Sequence, residues 1–84
     1  MEIKTALEGR EVCDNLRKEL SKIRYNPDLN KMLKNIENMV TEISKLEVTC
    51  RRTVSKVVLE TPLKNLNESI AHLKKLILIA QLME

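Results

Sequence analysis

Two cysteines and one histidine are the side chains here whose types suit nucleophilic, redox or soft-metal chemistry: Cys13, Cys50 and His72. A thiolate nucleophile needs a base beside it, and a metal site needs three or four ligands at recurring spacing. The cysteines stand 37 residues apart, no Cys-x-x-Cys occurs, and His72 has neither a second histidine nor a paired carboxylate at ligand spacing. The lone glycine, Gly9, cannot build a phosphate-cradling loop or a nucleophile elbow around the Ser and Thr hydroxyls. The reading is of a non-enzymatic chain with no catalytic residue, no metal, no cofactor and no small-molecule substrate. Both cysteines fall in apolar stripes, where thiols are usually buried and reduced, so an intracellular protein of the cytoplasm, nucleus or chromosome is expected.

Charge and composition narrow the partner classes. Eight basic and eight acidic residues balance over 1–42, while seven basic and four acidic residues put the whole net charge of +3 in 43–84. That bias is too diffuse for the Lys/Arg footprint of a nucleic-acid binder, and there are no aromatic platforms for bases: the chain has one Tyr, no Trp and no Phe. Arg51-Arg52 and Lys74-Lys75 are therefore read as pairing with acidic residues of neighbouring helices. The longest apolar run, Leu76 to Ala80, has five residues, against about 20 for a membrane span. MEIKTALEGR lacks the apolar run of a secretory leader, so neither membrane nor secretion is expected. Other helical protein chains, identical or different, remain as the partners.

One Gly and two Pro leave little turn material, and 43% hydrophobic with 32% charged residues is a helical composition. The expected class is all-α. Asn26-Pro27 and Thr61-Pro62 each set a good N-cap before a proline at the first helical position, dividing residues 1–84, read as a single module, into helices over about 2–25, 27–60 and 62–83. Within them the apolar residues keep three- and four-residue steps. Leu16, Leu20 and Ile23 follow Cys13 in the first helix, with Ala6 and Gly9 extending the stripe weakly. Leu29, Met32, Ile36, Met39, Ile43, Leu46 and Val57 line the second, through Cys50 and Thr53. Leu63, Leu66, Ile70, Leu73 and Ile77 line the third.

Holding a seven-residue repeat over four heptads implies left-handed packing against neighbouring helices, as an antiparallel bundle or a multi-chain coiled coil. Connections of a residue or two are expected to fold consecutive helices back antiparallel or to join them at a sharp corner. Leu33 and Val40 broaden the middle stripe, and Leu76, Leu78, Ile79, Leu82 and Met83 make the last turns apolar nearly all round. This surplus favours helix 2 left partly uncovered for another chain. A β-branched run from Thr49 to Val58 weakens helix propensity, but the unbroken repeat argues for one continuous helix. Tyr25 is expected to close the end of the bundle.

The residues Cys13, Leu16, Leu20 and Ile23, then Pro27, Leu29, Leu33 and Ile36, then Leu63, Lys64, Leu66, Glu68 and Ser69 follow a known pattern. Together they resemble the N-terminal coiled-coil region of the first subunit of the spindle-and-kinetochore-associated complex. The likeness spans most of the chain and departs in a shorter segment before Pro27 and in Pro62. It implies one strand of an intertwined helical oligomerisation core in a multi-subunit complex of cell division. A second pattern runs through Leu46, Val48 and Thr49, then Glu60, Thr61, Leu63 and Leu66, then Lys74, Lys75 and Leu76. It is similar to the helical module shared by elongation factor TFIIS, a Mediator subunit and the integrase-binding domain of lens epithelium-derived growth factor. Ala80 lies near the place where many of its members carry a tryptophan. This second resemblance implies a small docking domain for short linear motifs of transcription and chromatin proteins.

Overall fold

A computed structural model describes residues 2–52 and 57–83, the side chains of 50–52 excepted. Among these residues the chain forms three helices and no strand: α1 (Ala6–Ser21), α2 (Pro27–Arg52) and α3 (Glu60–Leu82), the last entered through a 3-10 turn at Val57–Leu59. The fold is the all-α helical bundle read from the spacing.

Polar contacts between helices fix their directions. Ala6 at the start of α1 donates its backbone N–H to Glu47 near the end of α2, while Arg17 near the end of α1 pairs with Glu37 in the middle of α2. As α1 rises, its partners on α2 descend, so the two are antiparallel. Ile3 bonds Asn67 and Glu19 bonds Gln81, so α1 and α3 run parallel. The result is an up-down-up bundle, 49 × 18 × 15 Å, in which α1 and α3 each lie along α2 and touch one another far less.

Helix ends differ from the sequence reading for local reasons. Helix α1 starts at Ala6 rather than near residue 2, because Thr5 caps it: its hydroxyl accepts the Glu8 N–H at 3.2 Å, and the Glu8 carboxylate accepts from Thr5 Oγ1 and the Lys4 N–H. This is close to a capping box, with Thr5-x-x-Glu8 as its signature. The helix ends at Ser21, not near residue 25. The hydroxyl of Ser21 donates to the Lys18 carbonyl, and the Lys22 N–H closes on the Glu19 and Leu20 carbonyls. The turn to α2 therefore takes Lys22–Asn26 rather than one or two residues. Helix α2 starts as expected, with Asn26 Oδ1 accepting the N–H groups of Asp28 and Leu29.

The continuous helix over 27–60 is not found. Helix α2 ends at Arg52, and the 3-10 turn and Glu60 precede Thr61-Pro62. Thr61 is thus inside α3 instead of capping it. Pro62 occupies the third helical position, where its missing N–H would have had no intrahelical acceptor. The seam positions Cys50 and Thr53, and the Arg51-Arg52 pairing, lie outside what is described.

The core joins all three helices: Ala6, Cys13, Leu16 and Leu20 from α1, Leu29, Leu33, Ile36, Val40 and Ile43 from α2, and Leu66, Ile70, Leu73 and Ile77 from α3. Leu33 and Val40, read as flanks, are buried, whereas Met32, Met39 and Leu46 are half-buried. A helix covered from two sides buries a wide stripe centred between its partners. On α2 Leu29, Ile36 and Ile43 keep the expected seam, while Leu33 and Val40 take the buried places expected of Met32 and Met39, Val40 against Gly9 of α1. Among the described residues α1 and α3 share the apolar face of α2, while Val48 near its C-terminal end stays exposed.

The extended segment before α1 is pinned by a side-chain amide. Asn67 Oδ1 accepts the Ile3 N–H at 2.7 Å, and Asn67 Nδ2 donates to the carbonyls of Ile3 and Leu63. The pairing mimics one rung of a β-ladder and holds the Ile3 side chain in the core. Asn67→Ala is expected to cost about 1–2 kcal/mol, the net of the lost bonds. Hydrogen exchange at the Ile3 amide should then accelerate by at least tenfold, and unchanged protection there would refute the role.

Candidate functional site

The parallel pair α1 and α3 leaves a seam on the side away from α2. Along its second half this seam opens into a groove of about 360 Å³. Leu16 and Ile77, both in the core, form the floor, and Val12 and Leu78 form the apolar walls. The polar rim is Asn15 and Glu19 from α1 with Lys74 and Gln81 from α3. Heptad spacing produces this arrangement: Val12, Asn15, Leu16 and Glu19 follow one helix face, as do Lys74, Ile77, Leu78 and Gln81.

The charges lie at opposite ends of the groove and on opposite walls. Glu19 is held at one end, accepting from Gln81 Nε2 at 3.1 Å and from Lys22 Nζ at 3.3 Å. Lys74 is two helical turns earlier on α3, about 10 Å away along the axis, and has no ion-pair partner among the described residues. The expected pairing of Lys74-Lys75 with neighbouring helices is not formed.

Apolar surface continues beyond the groove on the same end of α3. Leu78 is 57% exposed, and Ile79, Leu82 and Met83 are exposed beside it. The other seam residues are placed as follows. Leu16, Leu20, Leu29, Ile36, Ile43, Leu66, Ile70, Leu73 and Ile77 meet in the core, and Ile23, Met32, Met39, Leu46 and Leu63 are half-buried. Val57 departs from the reading: it is 66% exposed, because it belongs to the 3-10 turn instead of a continuing α2. Tyr25 is exposed as well, since the five-residue turn carries it away from the bundle end.

Cys13 is a free thiol buried between α1 and α2. Burial pushes it up from 9.0 to about 11, the carboxylates of Glu37 and Asp14 add to the rise, and Arg17 opposes it. An unfolded chain loses this proton near pH 9 and the folded one keeps it to about pH 11. The unfolded state therefore binds fewer protons in that window, and stability falls as pH rises through it. Cys13→Ala should flatten that part of the stability–pH curve relative to the parent chain, and superimposable curves would refute it. His72 is exposed, and among the described residues no three His, Cys, Asp or Glu side chains are gathered to hold a metal ion. Likewise no helix among them is long and apolar enough to cross a membrane.

The groove and the contacts that build it escaped the sequence reading. Glu47 and Asn67 act across distances of 41 and 64 residues, which no periodicity reveals. The cap at Thr5 had a legible signal in Thr5-x-x-Glu8. Compared with protein-family models, curated proteins and solved structures, the chain finds no match.

Proposed function

We propose that this chain is a non-enzymatic protein-assembly module that packs its own core and docks a helical segment of another chain against the α1/α3 face. The observation that carries the reading is the groove itself: a seam floored by Leu16 and Ile77 and flanked by Leu78 at 57% exposure, on a bundle whose central helix is already covered. Contiguous apolar surface of this kind is a usual mark of an interaction site. Grooves between helices accept the apolar face of an amphipathic helix.

The residues shared with the kinetochore coiled-coil region favour a place in a multi-subunit complex of cell division. Cys13, Leu16, Leu20, Leu29, Leu33, Ile36 and Leu66 are occupied inside this chain, however, so the contact with other subunits is assigned to the outer face of α1 and α3. A preformed groove on a self-contained bundle also favours the second reading, a docking domain for short helical motifs of transcription and chromatin proteins. Both readings use the same face.

A labelled, Leu-rich amphipathic helical peptide titrated into the 84-residue chain tests the proposal. Micromolar binding is expected, weakened at least tenfold by Leu78→Glu with the thermal melt unchanged, because that side chain is exposed in the bundle. Absence of both peptide binding and self-association at tens of micromolar would remove the proposal.

A further inference from the structure

The groove's charges specify how a helix would lie in it. Helices α1 and α3 are parallel, so their C-terminal ends, each with a partial negative charge of about half an electron, sit together at the Glu19–Gln81 end. The Glu19 carboxylate adds to this negative end, drawn down in part by Lys22. Two turns away, on the opposite wall, the Lys74 ammonium is without an ion-pair partner among the described residues. The groove is therefore negative at one end and positive at the other, above an apolar floor.

We infer that the occupant is a single amphipathic helix of another protein, bound antiparallel to α1 and α3. It carries a basic residue near its N-terminal end, an apolar seam at three- and four-residue spacing, and an acidic residue about two turns further on. In this orientation its positive N-terminus meets the two negative helix ends. Its basic residue meets Glu19 and its acidic residue meets Lys74. The bound helix takes the same direction as α2, so four helices alternate in direction and their dipoles oppose pairwise. A second copy of this chain fits less well. Its exposed apolar turns on α3 read Lys75, Leu78, Ile79 and Leu82, with Leu82 where the acidic residue is required.

This inference rests on the docking reading above, and twin peptides separate the two. One peptide has Lys before the apolar seam and Glu after it. Its twin has the two charges exchanged and the same composition and helicity. Titrated into the full chain at low salt, the Lys-first peptide is expected to bind about tenfold more tightly than its twin, from two exposed charge pairs changing sign. The preference should invert in a Glu19→Lys, Lys74→Glu double variant, whose substitutions lie at the surface rim. Equal affinities, with both lost in Leu78→Glu, would overturn the orientation and leave docking intact, and tighter binding by the Glu-first twin would likewise overturn it. A concentration-dependent dimer that Leu78→Glu dissociates and neither peptide competes for would overturn the choice of occupant. Failure of both peptides to bind a monomeric chain would remove the inference together with the docking reading.

Discussion

Leu73→Asp should abolish the folded bundle. Leu73 has no exposed surface and sits at the middle of α3, facing the core formed with α1 and α2. Losing its buried apolar surface and opening a cavity costs about 2–5 kcal/mol, as for a Leu→Ala change. A carboxylate left there without a partner adds several more, since among the described residues the core contains no buried polar side chain to receive it. At about 0.05–0.15 kcal/mol per residue, a chain of this size has roughly 4–13 kcal/mol of stability in total. Far-ultraviolet circular dichroism should show most helicity gone at room temperature. Ile43→Asp, at the equivalent depth on α2, should behave alike, whereas Leu82→Asp, on exposed surface, should keep the parent melt. Full helicity with a cooperative melt in Leu73→Asp would refute this account of the core.

Gly9→Leu is the second large effect, and it works through crowding. A Cβ at Gly9 would stand 2.9 Å from Val40 Cγ2 and 3.5 Å from Leu66 Cδ2. The first distance is shorter than carbon atoms tolerate, and Val40 cannot swing aside because it is β-branched and buried. A leucine there must push α1 off α2 and open the Cys13 and Leu16 layers, at a cost of about 3 kcal/mol or somewhat more. Gly9→Ala sets two effects against each other: about 1 kcal/mol gained in helix propensity and about 1–3 kcal/mol lost to the clash. The net is a small loss in the parent chain and a gain in a Val40→Ala background, where the obstructing methyls are gone. Denaturant midpoints of the four chains complete the cycle. Strict additivity would show that α1 and α2 do not approach as closely as described.

Much of the fold was legible because helical periodicity is local. The seven-residue spacing of Leu29, Ile36 and Ile43, or of Leu66, Leu73 and the residues between, identifies a buried face from one helix alone. Asn26-Pro27 marks a helix start through side-chain and ring geometry that needs no tertiary partner. The false start at Thr61-Pro62 carries the same signal, yet proline is equally compatible with the third helical position, and the 3-10 turn at Val57–Leu59 decided which applied. Val57 was misplaced for that reason: an apolar residue in register says nothing about whether the helix reaches it.

What the sequence by itself determined is the class of the protein: all-α, with three helices whose apolar stripes must be buried. Those conclusions follow from residue types and spacings within single elements. The tertiary structure decided what those stripes bury against and what stays open. The parallel placement of α1 and α3 depends on contacts between residues far apart in the chain, such as Ile3 with Asn67 and Glu19 with Gln81. Leu33 and Val40 became central because α2 is covered from two sides. Glu19 and Lys74 became two ends of one groove because separate helices brought them within about 10 Å along its axis. A periodicity reports one helix's face, whereas a groove is a relation between two.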